Sequence, residues 1–149
     1  MIWKVTGTCE CVSYLGPGLG GGHGWLQGRY GLVSDQYVSL RLVLADGTVE
    51  IVDKKDKLFW ALKGAGHNFG IVTEVTAKIF DLKTPDYGLQ TLIFRGDKVE
   101  QVYELANRLW YTKGNGIPVD LINWSYWFFD PSLDPEKVCE LRTFFVEVC

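Results

Sequence analysis

Gly16-Pro17-Gly18-Leu19-Gly20-Gly21-Gly22-His23-Gly24-Trp25-Leu26-Gln27-Gly28-Arg29-Tyr30-Gly31 decides how this chain is read, because half of its positions are glycine. Glycine loses more backbone freedom on folding than any other residue, so no stable helix or strand favours this composition. A run this dense is useful where bare backbone must turn sharply and bring its N–H groups close to a ligand, most often a phosphate or another anion.

The sequence on either side supplies regular structure. Cys11 to Leu15 reads as a short extended segment leading into the run. From Tyr37 the pattern alternates strictly, with Val38, Leu40, Leu42 and Leu44 on one face and Ser39, Arg41 and Val43 on the other, the signature of a half-buried strand. Asp46-Gly47 supplies a tight turn, and Val49 and Ile51 resume the alternation, so Tyr37 to Val52 is expected to be a β-hairpin. Lys57 to Lys63 reads as a brief helix stopped at Gly64-Ala65-Gly66, where His67 and Asn68 are expected to cap a turn. A strand follows from Gly70 to Phe80.

Asp81 to Asp86 interrupts the pattern, and Pro85 removes a ladder donor, which marks a boundary between residues 1–81 and 82–149. Beyond it, Gly88 to Phe94 reads as a strand. Asp97 and Glu100 open a helix whose Val99, Val102, Tyr103, Ala106, Leu109 and Trp110 repeat at helical spacing. Val119 to Phe129 reads as a strand whose Trp124, Tyr126, Trp127 and Phe128 suit core packing better than the floor of a substrate pocket. Asp134-Pro135 opens a last expected helix through Val138, Leu141, Phe144 and Phe145. The fold class is α+β.

Composition excludes several functions. The chain has 149 residues, 47% of them hydrophobic, and a net charge of −3, so it reads as globular and not disordered. Its Lys and Arg residues are scattered and form no stripe to follow a phosphate backbone, which argues against a nucleic-acid partner. No apolar run approaches the roughly 20 residues that span a bilayer, and Met1-Ile2-Trp3-Lys4-Val5 lacks a signal-peptide core. The expectation is a soluble chain with no membrane partner and its compartment open. Cys9, Cys11, Cys139 and Cys149 are too few and too oddly spaced for a disulfide scaffold. With only His23 and His67 beside a Cys-x-Cys pair, no metal site is expected.

Two phosphate-binding signatures fail to account for the glycine run. Gly16-Pro-Gly18-Leu-Gly-Gly21 satisfies G-x-G-x-x-G. Gly24, Gly28 and Gly31 interrupt the helix that should follow, and Asp35 and Asp46 miss the offset of about 20 residues expected of a dinucleotide fold. A Walker A loop fails because no Gly-Lys-Ser/Thr occurs.

Cys9, Gly20-Gly-Gly-His-Gly24, Gly31-Leu-Val-Ser-Asp35, Ala45-Asp-Gly47, Leu58-Phe-Trp-Ala-Leu62 and Gly64-Ala-Gly-His-Asn-Phe-Gly-Ile-Val-Thr73 stand in the order and spacing of one family. Over residues 4–80 the chain resembles the FAD-linked oxidases of the vanillyl-alcohol-oxidase type, in the berberine-bridge-enzyme-like branch. The resemblance implies the C-terminal part of a PCMH-type FAD-binding domain in residues 1–81, followed by the start of an α+β substrate domain in 82–149.

It also implies particular roles. A cysteine eleven residues before the first glycine of the GGGxG run bonds the flavin ring in bicovalent members, and that position is Cys9; Cys11 is the near neighbour. Gly20, Gly21, Gly22 and Gly24 would let the backbone approach the flavin and its pyrophosphate chain, His23 would contact the flavin or face solvent, and Gly70, Ile71 and Val72 would meet the adenine end. The family's remaining pyrophosphate site and its catalytic base are expected outside these 149 residues, so no base is assigned here. The function implied is FAD-dependent oxidation of an alcohol, amine or sugar-like small molecule, in secondary metabolism, with dioxygen as acceptor. The alternatives are a non-catalytic remnant and a small module binding an anionic ligand. Apolar faces between Tyr37 and Phe80 are expected to favour self-association.

Overall fold

The computed structural model describes residues 2–81, 86–111, 116–128 and 140–148. The chain divides into two compact units, Met1–Thr84 and Pro85–Cys149.

In the first unit, a short strand β1 (Ile2–Trp3) pairs antiparallel with β5 (Phe80–Asp81). The glycine run carries two single helical turns, α1 (Leu15–Gly18) at its start and α2 (Gln27–Tyr30) at its end. Two expectations change here. Cys11 to Leu15 is not extended: the chain turns, with Val12 N–H donating to the Cys9 carbonyl, and enters α1 directly. The glycine run is not wholly irregular either, because a single turn needs few intrahelical bonds and its flanking loops tie it down.

The hairpin forms as read, from β2 (Tyr37–Val43) and β3 (Val49–Asp53), and β4 (Ile71–Ala77) joins the other side of β2 to give the antiparallel order β3-β2-β4. Its turn follows from Asp46-Gly47: Gly47 takes φ of 86°, Asp46 Oδ1 accepts from Thr48 N–H at 2.9 Å, and Leu44 N–H reaches the Thr48 carbonyl at 2.8 Å. Leu40, Leu42 and Val52 are buried as one face, over Val33, Phe59 and Leu62 of the same core.

The alternation nevertheless slips at both ends. The register against β4 shifts between Tyr37 and Ser39, a bulge that buries Tyr37 and turns Val38 outward. On β3 it is Val52, opposite Leu40, that faces inward, while Ile51 pairs with Arg41 and is 72% exposed. Val49, Val43 and Ile71 therefore lie side by side across the outer face of the sheet.

α3 (Lys57–Leu62) packs through Phe59 and Leu62 and leaves Trp60 exposed. Asp56 Oδ2 accepts from Asp53 N–H at 2.8 Å at its start. The 3-10 turn Gly66–Asn68 links it to β4.

The second unit is an antiparallel sheet of β6 (Tyr87–Arg95), β7 (Leu121–Phe128) and β8 (Glu140–Val148) in the order β6-β8-β7, with α4 (Val99–Tyr111) after β6. The last expected helix is overturned here. Asp134-Pro135 and Val138 lie outside the described residues, and Leu141, Phe144 and Phe145 belong to the central strand, paired with β6 over its whole length and with β7 over Leu121–Phe128. The spacing of those three apolar residues fits a helix, but Thr143, Phe144, Phe145, Val146 and Val148 are strand formers, and ladder bonds on both sides decide the outcome. Nor is the aromatic strand a packed core. β7 is an edge, Leu121, Asn123 and Ser125 line the space beside α4, and Trp124, Tyr126 and Trp127 are exposed.

Among the described residues no helix is long and apolar enough to cross a membrane. The glycine contacts make one test of the packing. A methyl on Gly24 would overlap the Thr6 carbonyl oxygen, whereas one on Gly64 would meet nothing within 4 Å. Gly24→Ala is expected to cost about 1–3 kcal/mol in urea unfolding, as overpacked sites do, and Gly64→Ala to stay within about 0.5 kcal/mol of the parent. Equal midpoints for the two variants would show that the Gly24–Thr6 approach is not a constraint.

Candidate functional site

A cavity of about 470 Å³ opens in the first unit where the segment after β1 passes the glycine run. Thr6, Gly7, Thr8, Cys9, Glu10, Val12, Ser13 and Tyr14 form one side, and Pro17, His23 and Trp25 the other. The backbone is steered there by close approach. Gly24 lies against the Thr6 carbonyl and Gly22 against Val33, where a Cβ would sit 2.8 Å from its neighbour. Gly21 and Gly22 take φ of 105° and 80°, a region that side chains with a Cβ rarely adopt.

The glycine loop is tied down from two directions. Val33 N–H donates to the Gly22 carbonyl at 3.0 Å and Ser34 N–H to the Gly21 carbonyl at 2.9 Å. Gly66 N–H donates to the Leu19 carbonyl at 3.0 Å, and His67 Nε2 lies 3.0 Å from the Gly16 carbonyl. Within the loop, Gly20 N–H and Gly21 N–H are already used by the Pro17 and Gly18 carbonyls. The N–H groups of Gly22, His23 and Gly24 donate to no backbone carbonyl among the described residues.

Of the residues expected at a site, Cys9 and His23 line the cavity, and Cys11, two positions on, does not. Both thiols are exposed. His23 Nδ1 is 2.8 Å from Gln27 Oε1; because that oxygen only accepts, Nδ1 carries the hydrogen of this contact. Gly18, Gly22 and Gly24 are required by the chain's own packing, so their composition is explained before any ligand is considered. Gly70 leads into β4 and approaches the Val43 carbonyl, while Val72 pairs with Leu42 and exposed Ile71 with Val43 in the sheet. None of these three lines the cavity.

Three groups escaped the sequence reading. The Tyr14 hydroxyl is buried without a hydrogen-bond partner in the structure, beside the equally unpartnered Tyr37 hydroxyl. Their rings meet edge to face with centroids 5.9 Å apart, and burial raises both phenol pKa values. Lys4 Nζ stands 3.6 Å from the Tyr14 ring centroid, a cation–π contact. No spacing in the sequence brings Lys4, Tyr14 and Tyr37 together; only the fold does.

Residues 1–53 match the FAD binding domain family. Over 132 residues, 88% of this chain, the sequence is 60% identical to the FAD-linked oxidoreductase chry5 of Gibberella zeae, and the match takes up 26% of that protein. In fold the chain is similar to 6-hydroxy-D-nicotine oxidase from Arthrobacter nicotinovorans, at 25% identity and a TM-score of 0.76, covering 99% of this chain and 32% of that one. It is likewise similar to the Physcomitrella patens protein BBE-like 1, at 26% identity and a TM-score of 0.71, covering 97% of this chain and 30% of that one. Fold and sequence thus define a flavoprotein of the berberine-bridge-enzyme-like type. The chain belongs to the FAD-linked oxidoreductases and spans about a quarter of the length of the curated relatives it matches.

The far wall of the glycine loop has its own electrostatic lock. Asp35 accepts from Lys63 Nζ at 2.9 Å and from Leu32 N–H at 3.0 Å, and Lys78 Nζ donates to the Asp35 carbonyl at 3.3 Å. The Lys63 hydrogen bond is the main reason the Asp35 carboxyl is held below its ordinary value of 3.8. A carboxyl with a depressed folded-state pKa stabilises above its unfolded pKa and loses that contribution as pH falls through the folded value. Stability of the parent over Asp35→Asn is therefore expected at neutral pH and should shrink as urea midpoints are followed down to about pH 3. A gap independent of pH would assign Asp35 a packing role only.

Proposed function

We propose that this chain forms part of an FAD-dependent oxidoreductase and holds the flavin in the cavity beside Cys9. The observation that carries this reading is that Cys9, and not Cys11, lines a cavity shared with the glycine run, in a chain whose first 53 residues match an FAD binding domain. The donor set fits the cofactor. The His23 amide, on the cavity wall, donates to no backbone carbonyl among the described residues, the Tyr14 side chain lines the same wall, and the Cys9 thiol is exposed for attachment to the ring.

When bound, FAD would accept a hydride from the substrate and pass the electrons on, with dioxygen as the proposed acceptor. The part played by this chain is to orient the cofactor. The glycine loop would hold its main chain at fixed positions, His23 is held through Nδ1 by Gln27, and Cys9 would anchor the ring as a thioether: the thiolate adds to a ring carbon after its proton leaves to water, and the two electrons this puts on the flavin pass to dioxygen. We assign the first unit to the FAD-binding domain and the second to the start of a substrate domain. The substrate class proposed is an alcohol, amine or sugar-like small molecule of secondary metabolism, a setting in keeping with fungal relatives called FAD-linked oxidoreductases.

The test is an absorbance spectrum of the purified chain incubated with FAD, before and after acid precipitation, with Cys9→Ala and Cys11→Ala alongside. Flavin colour is expected to stay in the pellet for the parent and Cys11→Ala and to leave it for Cys9→Ala. A flavin-bearing peptide centred on Cys11 would overturn the attachment site. Absence of flavin uptake would favour a non-catalytic remnant, and thermal stabilisation by phosphate or a nucleotide without stabilisation by FAD would favour an anionic-ligand module.

A further inference from the structure

The path of α1 leaves a carbonyl without a donor. In a continuing α-helix the Gly16 carbonyl would accept from Gly20 N–H, but the chain tightens and Gly20 N–H turns to the Pro17 carbonyl at 3.0 Å. The next tightened bond, Gly21 N–H to the Gly18 carbonyl at 3.1 Å, carries the chain into the positive-φ pair Gly21 and Gly22. The 3-10 turn Gly66–Asn68, fifty residues further along, meets this point. Gly66 N–H donates to the Leu19 carbonyl, an approach that favours glycine because a Cβ would crowd the Leu19 side chain, 2.6 Å from Cδ2 and 3.0 Å from Cβ. His67 Nε2 stands 3.0 Å from the Gly16 carbonyl. A carbonyl only accepts, so Nε2 carries the hydrogen. Asn68, by contrast, serves its own turn by donating from Nδ2 to the Ala65 carbonyl at 3.1 Å.

We propose that His67 is a positioning residue for the glycine loop, donating from Nε2 to the orphaned Gly16 carbonyl and so fixing the first residues of the loop that presents its amides to the cofactor. Val33 and Ser34 hold the middle of the loop; His67 and Gly66 hold its beginning. The role in cofactor binding rests on the FAD reading above, and the role in loop order does not.

Two substitutions separate a hydrogen bond from mere bulk. His67→Leu removes the donor and keeps the volume, and His67→Gln returns an N–H at similar reach. In the purified chain, amide hydrogen exchange is expected to speed up about fivefold at Leu19, Gly20 and Gly21 in His67→Leu, the effect of one lost hydrogen bond, while the β2–β3 amides stay unchanged and His67→Gln restores protection. FAD affinity, read by flavin fluorescence titration, should weaken in His67→Leu and recover in His67→Gln. Unchanged loop exchange, equal acceleration throughout the unit, or failure of the glutamine to rescue would overturn the proposal. So would faster loop exchange with unaltered FAD affinity. If the parent chain takes up no FAD, the reading of the cofactor site fails and the exchange measurement alone decides the role of His67.

Discussion

Backbone meets backbone in this chain at points where a single methyl group would not fit, and the first unit is organised around those points. Gly24 rests on the Thr6 carbonyl, Gly70 on the Val43 carbonyl, and Gly66 on Leu19. Each contact joins segments distant in sequence: the irregular segment after β1 to the glycine run, the end of β2 to the residue before β4, and the turn after α3 to the end of α1. Hydrogen bonds then use the proximity, as Gly66 N–H does with the Leu19 carbonyl. The apolar core of Leu40, Leu42, Val52, Phe59 and Leu62 supplies the bulk of the driving force, but it does not set the path of the loop.

That division explains the shape of the cavity. Its two sides are the segment from Thr6 to Tyr14 and the loop from Pro17 to Trp25, and they are held apart and together by the same Gly24 contact. Gln36, almost fully buried, donates from Nε2 to the Tyr30 and Leu32 carbonyls at 2.6 and 2.9 Å, so the chain leaving the loop is as firmly fixed as the chain entering it. On the reading proposed above, a main chain fixed in this way would need little reorganisation to meet an anion.

Much of this was legible in the residues. The Asp46-Gly47 turn, the hairpin, the brief helix ending at Gly64 and the helix from Val99 all follow from local chemistry that the fold does not contest. The failures have tertiary causes. Val38 faces outward because a bulge opposite β4 costs β2 one step of its alternation, and a lone strand does not reveal its partner's register. Glu140–Val148 becomes a strand because two neighbours offer ladder bonds. Of the cavity's residues, Cys9 and His23 were implied by the family resemblance, whereas Tyr14 over Tyr37, Lys4 over Tyr14 and His67 on Gly16 depend on contacts between segments that carry no mark of one another.

The glycine run bears on how such a sequence drifts over generations. Gly18, Gly22 and Gly24 are demanded by the Tyr37 hydroxyl, Val33 and the Thr6 carbonyl, all within the chain itself. Selection for folding alone would therefore retain them in a descendant that had ceased to hold any cofactor. The positions free to record such a loss are those that packing leaves unconstrained: the exposed Cys9 thiol, the exposed His23 ring, and Gly20, whose missing side chain meets no atom closer than 3.5 Å. In a lineage of these chains Gly18, Gly22 and Gly24 report the architecture, and Cys9, Gly20 and His23 report whether it is still in use.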